Sequence, residues 1–237
     1  MMRLPRPLPT LRAAVRPLAA VASAAVLGAA APDDPYAPFV EPGFPFIVST
    51  VDAGKLGPAF PARNLAVRCV VLLLGDDTYA CFDTDLLRMS VAWRGEFVSM
   101  TTMAQVSYQQ AGNKNNAIPR VLGRPLLATG VYPGWMAGEP TCADPRLAGP
   151  NPADGGRGPI APELGRWNGL HVVGNEAVLS YTVAGVDVQE QVGRVAASGQ
   201  VGITRTFQTG AVARPLALVV AEVEGGGARR RRGTAAP

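Results

Sequence analysis

Residues 65–93 read LAVRCVVLLLGDDTYACFDTDLLRMSVAW, and three strands follow from them. Leu65 to Leu74 is almost wholly apolar and rich in valine, the pattern of a strand buried on both faces. Gly75-Asp76-Asp77 supplies a turn, and Thr78 to Asp83 returns as a second strand. From Leu86 to Trp93, the residues Leu87, Met89, Val91 and Trp93 alternate with Arg88, Ser90 and Ala92. That is a period of two, expected of a half-exposed strand.

The same signals recur toward the C-terminus. Strands are expected at 166–173, 177–183, 186–192, 201–208 and 216–223, with turns at Gly174-Asn175 and Ala184-Gly185. In the third of these, Val186, Val188 and Val192 share one face, which Glu190 interrupts, so that strand is expected to reach the edge of the core there. No helical period stands out beyond the N-terminal segment. Short strands and frequent turns predict an all-β protein, an antiparallel β-sandwich of supersandwich or jelly-roll-like type. Residues 104–165 interrupt the pattern with nine prolines between Pro119 and Pro162, many glycines and no sustained period. They are expected to form a long Pro/Gly-rich loop excursion, ordered over part of its length, with Pro150 to Pro162 its most mobile piece. The expected sandwich domain spans 31–224.

Composition narrows the function classes. Apolar residues make up 48% of the 237 and charged residues 17%, so disorder of the whole chain is excluded. The formal charge is +4, from 22 basic residues against 18 acidic. Eight of the basic residues lie in two acid-free ends, Arg3, Arg6, Arg12 and Arg16 and then Arg229 to Arg232, which leaves 14 against 18 in the body. A nucleic-acid binder carries its basic footprint on the folded domain, so nucleic acid is not an expected partner. Only two of the basic residues, Lys55 and Lys114, are lysines. Such a bias, alongside abundant Ala, Gly and Pro, resembles that of a GC-rich genome and argues against reading each arginine as selected for chemistry.

The first 30 residues read as a secretory signal peptide: four arginines, then the charge-free run Leu18 to Ala30, with Gly28 and Ala30 meeting the small-x-small rule. The run is too short for a stable membrane span, and an exported, periplasmic or extracellular location is expected. A Pro-rich lead follows, with Pro at 32, 35, 38, 42 and 45, expected to lie as an extended strap anchored by Phe39, Phe44 and Phe46. At the other end, Gly225-Gly226-Gly227, four arginines and a patternless tail over 225–237 read as a disordered terminus or a truncation scar. Export permits disulfides. Cys69 and Cys81 flank the first turn, near opposite positions of a hairpin, and are read either as a bridge or as two small buried hydrophobes. Cys142 is left over. No C-x-x-C spacing occurs, so neither a zinc site nor c-type haem attachment is encoded, and no cofactor is expected.

Candidate chemistry is sparse. Asp83 and Asp85 would face the same side of an extended chain and, with Glu96 close by, suggest a calcium site or an acid pair for glycoside chemistry. Turn formation and solvated strand ends account for the same residues. His171 is the only histidine; it suits a general acid paired with Glu163 or Glu176, or an ordinary strand residue, and one imidazole makes no multi-His metal site. Trp93, Tyr132, Trp135 and Trp167 are candidates for an aromatic platform on which a saccharide stacks, or for ordinary anchoring.

Five segments, DDPYAPFVEPGFPF (33–46), STVDAGKLGPAFPARNLAVR (49–68), CFDTDLLRMSVAWRG (81–95), YPGW (132–135) and ELGRWNGLHVVGNEAVLSYTVAGVDVQE (163–190), carry a resemblance. Together they resemble an N-terminal domain of unknown function from large exported bacterial proteins that often carry a c-type cytochrome domain further along. The resemblance covers Asp33 to Val223 and brings no catalytic residue with it. It implies location and companionship: an accessory or binding domain without its own catalytic centre, with a cytochrome-containing protein as partner; a saccharide partner is expected from the aromatic candidates alone. The absence of C-x-x-C-H from these 237 residues keeps haem binding from being carried over. A carbohydrate-binding or carbohydrate-active sandwich enzyme is the rival expectation. A fragment of a larger multidomain haem protein is the third.

Overall fold

The computed structural model describes residues 43–99, 118–148 and 157–222. The expected leader, the Pro-rich lead up to Pro42 with Phe39, residues 150–156 of the expected mobile piece and the tail over 225–237 lie outside the described residues. The protein is all-β. Its strands are β1 (Phe46–Asp52), β2 (Leu65–Leu73), β3 (Thr78–Asp83), β4 (Arg88–Arg94), β5 (Arg124–Ala128), β6 (Trp135–Ala137), β7 (Gly165–Val173), β8 (Glu176–Val183), β9 (Val186–Ala197), β10 (Gln200–Thr209) and β11 (Leu216–Leu218). A single 3-10 turn, Pro145–Ala148, is the only helical element among the described residues. None of the described helical segments is long and apolar enough to cross a membrane.

Two open antiparallel sheets pack as a sandwich. One has the order β1-β2-β3-β4-β5, the other β10-β9-β8-β7, and a two-stranded ribbon joins β11 to β6. Two-residue loops close the hairpins of the second sheet, and Ala184-Gly185, at φ 47° and 83°, has the left-handed pair that suits the twist of the flanking strands. The β2–β3 turn likewise holds Gly75, Asp76 and Asp77 at positive φ, a conformation that glycine and short polar residues adopt most readily.

The inner strands of the first sheet are buried on both faces, as the apolar run of β2 predicts. Val70 and Leu72 point with Phe82 toward Leu179, Tyr181, Val183, Val188 and Val192 of the second sheet. Cys69 and Val71 point the other way, with Val91, Trp93 and Ala128, under a loop layer that carries Ala53, Phe97 and Val98. The two cysteines are free, and Cys81 pairs in register with Val71 while Cys69 pairs with Asp83, so the thiols sit diagonally on one buried face. Burial pushes the Cys81 thiol well up from its ordinary range.

Three expectations change. β4 is buried from Arg88 to Trp93 instead of half exposed. Its partner register jumps from Phe82↔Met89 to Cys81↔Val91, which leaves Ser90 as an extra, bulged residue. Met89 therefore faces the inter-sheet core, while Val91 and Trp93 face the loop-covered side. The excursion over 104–165 carries β5, β6 and the 3-10 turn in its described part. The rings of the expected strap residues Phe44 and Phe46 lie tilted with centroids 4.9 Å apart, but Phe44 stays 41% exposed and Phe46 opens β1, a strand not expected from the sequence.

The YPGW segment crosses the β3–β4 turn so closely that Gly134 donates its N–H to Leu86 O at 3.0 Å. A Cβ on Gly134 would meet Leu87 O at 2.3 Å and Arg88 Cα at 2.6 Å. Both are backbone atoms that cannot swing aside. Gly134→Ala is therefore expected to lower the unfolding free energy by about 1–3 kcal/mol or more, read from urea denaturation followed by tryptophan fluorescence.

Candidate functional site

The turn between β3 and β4 organises the polar centre of the molecule. Asp83 ends β3, and its Oδ1 accepts the N–H groups of Asp85 at 3.0 Å and Leu86 at 3.4 Å. That Asx-type arrangement bends the chain, and Leu87 completes the bend at φ 50°. Asp83 and Asp85 are thus not neighbours on an extended strand, as their spacing suggests. Asp85 lies inside the turn, where its carbonyl accepts the Ile160 N–H at 2.9 Å.

Beneath the turn lies Arg88, wholly buried. Its Nε donates to Asp83 Oδ2 at 3.0 Å. Nη1 donates to Asn64 Oδ1 at 2.9 Å and to the carbonyls of Thr129 and Gly130, both at 2.8 Å. Nη2 reaches Leu65 O at 3.3 Å. A guanidinium removed from water requires this density of acceptors. The bulged Ser90 extends the network, donating from its hydroxyl to Asn64 Oδ1 at 2.8 Å and accepting Asn64 Nδ2 at its carbonyl at 2.9 Å. Burial pushes the Asp83 carboxyl up from the usual carboxylate range, against the pull of Arg88 and of the Asp85 N–H.

A cleft of about 380 Å³ opens above Asp83 and Asp85. Arg63, Arg146 and Arg157 line it together with Asp52, Ile118 and Val131. Asp85 is 3% exposed; its Oδ1 takes Arg68 Nε at 2.8 Å and Nη2 at 2.7 Å, while its Oδ2 is buried with no hydrogen-bond partner among the described residues. Arg146 is clamped by Asp144 through Nε and Nη2 and donates Nη1 to Gly158 O at 2.8 Å. Arg63 and Arg157 are exposed, with no ion pair among the described residues.

The other candidate residues stand elsewhere. Glu96 is exposed after β4 and His171 is exposed on β7; neither lines the cleft. Trp93 is wholly buried, donates Nε1 to Glu96 O at 3.0 Å, stacks on Phe97 and meets Tyr79 at a tilt. Tyr132 is buried, with its hydroxyl on Glu222 Oε2 at 2.7 Å, and Glu222 also accepts the Gly130 N–H at 3.0 Å. Burial and that carboxylate together push the Tyr132 hydroxyl upward from its usual range. Trp167 is half-buried beside Phe82 at 5.7 Å. Trp135 is half-buried, edge-on to Phe207, and donates Nε1 to the Tyr181 hydroxyl at 3.0 Å. The four rings make no common platform, and none lines the cleft.

Trp135 leads into a second polar centre. The Tyr181 hydroxyl donates to Glu190 Oε2 at 2.6 Å, and Arg205 grips the same carboxylate at 2.5 and 3.0 Å. Glu190 is therefore fully buried, not at a core edge as its place in β9 suggests, because Arg205 of β10, opposite Val192, reaches it diagonally. Burial first, and then Glu190, drives the Tyr181 hydroxyl upward. Arg88, Arg205 and the cleft arginines were not legible as site residues: in the sequence each is one arginine among twenty.

Residues 80–190 match the family model of a domain of unknown function, DUF6797. The DUF6797 match runs from β3 into β9 and includes Asp83, Asp85, Arg88 and Glu190. No curated protein and no solved structure matches the chain.

Removing Arg88 strands a buried carboxylate, whereas Arg120 meets Asp52 at 3.7 Å with side chains 50% and 27% exposed. Arg88→Met is expected to cost about 3–5 kcal/mol and Arg120→Met less than about 1 kcal/mol, compared in parallel urea titrations.

Proposed function

We propose that this chain is an exported accessory domain that binds a ligand without transforming it, of the kind that accompanies c-type cytochrome domains in larger proteins. The observation that carries the reading is the engagement of Asp83. One of its oxygens accepts two backbone N–H groups and the other accepts Arg88, so the carboxylate is committed to holding its own turn. A general acid or base needs a free hydrogen-bonding direction toward its substrate, and three of the roughly four acceptor positions of Asp83 are already filled from within the turn and by Arg88. Glu96 and His171 lie away from the cleft and supply no second group there. The resemblance of the motif set to domains of exported cytochrome-bearing proteins supports the location and the companionship. Haem would belong to the companion, because this sequence has no C-x-x-C-H.

One observation favours a carbohydrate-active enzyme instead. Asp83 and Asp85 share one cleft, and burial raises the Asp83 carboxyl, the direction a general acid requires. The two readings part in a single experiment. The purified protein is titrated calorimetrically with neutral and acidic saccharides, and each mixture is then analysed by mass spectrometry. Binding to at least one saccharide with every saccharide recovered intact is the expected result. Product that disappears in Asp85→Asn would establish the enzyme, and neither binding nor product would remove the ligand altogether.

A further inference from the structure

We propose that the cleft above Asp83 and Asp85 binds an anionic sugar, a hydroxyl-bearing ring with a carboxylate or a phosphate. This deepens the binding-domain reading and rests on it. Charge gives the first half of the argument. Asp52, Asp83 and Asp85 are each matched by an arginine, and Arg146 by Asp144. Arg63 and Arg157 remain at the cleft without an acidic partner among the described residues, a surplus of two positive charges. Guanidinium forks hold carboxylate or phosphate oxygens in pairs of parallel hydrogen bonds. The same surplus opposes a metal ion, and the described residues hold no group of His, Cys, Asp and Glu suited to one.

The second half is the unsatisfied oxygen. Asp85 Oδ2 is a buried acceptor without a donor, on a residue that lines the cleft. Buried acceptors of this kind are rare and call for a donor. A ligand hydroxyl is such a donor, and the net positive charge of the site favours it over an ammonium. Ile118 and Val131 give the cleft an apolar wall for the C–H face of a ring, and about 380 Å³ accommodates a small ligand. A larger cleft of about 690 Å³ lies between Leu72 and Gln191, but its charged groups, Glu176 and Arg194, are each already engaged. There Arg194 bonds Asp76 and Leu74 O, and Glu176 bonds Gln191.

The test is calorimetric titration of the full chain with glucuronate, glucose 6-phosphate, glucose and inorganic phosphate at one fixed ionic strength. Glucuronate or glucose 6-phosphate is expected to bind at least tenfold more tightly than either glucose or phosphate, and the tighter of the two names the anionic group. Arg63→Met with Arg157→Met, both exposed, is expected to weaken that binding at least tenfold at unchanged Tm. Asp85→Asn is expected to weaken the sugar anion more than inorganic phosphate. Glucose binding as tightly as its anionic forms, or binding that survives the double arginine variant, would overturn this proposal while leaving a saccharide-binding domain in place. Phosphate binding as tightly as the sugar phosphate would overturn it equally. Silence toward every saccharide, neutral or anionic, would remove the binding reading as well.

Discussion

A guanidinium sealed from water must have acceptors around it, and Arg88 collects them from three separate pieces of chain. Asp83 comes from the end of β3, Asn64 and Leu65 from the entry to β2, and Thr129 and Gly130 from just beyond β5. These segments belong to one sheet, and the shared cation ties their ends together at one point. The cleft is the consequence: it opens where those segments converge, with the Asp83–Asp85 turn as its floor. Glu222 pins the same region from the far end of the described chain by holding Gly130 and Tyr132.

The second sheet repeats the device with opposite polarity. Glu190 on β9 is the buried charge, and Arg205 on β10 with Tyr181 on β8 supplies its donors. Buried pairs of this kind add modest net stability, because desolvation offsets much of the attraction. Their stronger effect is on register. A one-residue slip of β10 against β9 would turn Arg205 to the outer face and leave Glu190 alone in the core. Each sheet of the sandwich therefore carries one ionic lock on its strand alignment.

The strands that were legible in the sequence are those whose period and turns agree. β2, β3, β7, β8 and β10 lie within a residue or so of their expected limits, and β9 runs on to Ala197. β1 was hidden because FIVSTVD mixes three polar residues into an apolar run behind a Pro-rich lead. β5 and β6 were hidden because they are short and sit among prolines and glycines. The burial of β4 was illegible for a different reason: period two has no signature for an added residue, and Ser90 shifts the phase midway. At the candidate site, the spacing of Asp83 and Asp85 fits an extended chain and carries no sign of the turn that Asp83 itself closes. The break that Glu190 makes in the apolar face of β9 was visible too, yet its meaning depended on a partner fifteen positions away.

The bulge at Ser90 also bears on how this domain can diverge. Exchanging the side chain at position 90 leaves every neighbour on its present side. Dropping one residue there would instead reverse the facing of either Arg88 and Met89 or Val91 and Trp93, since alternation admits no half step. A substitution at position 90 keeps the facing pattern of the strand; a codon lost from it does not.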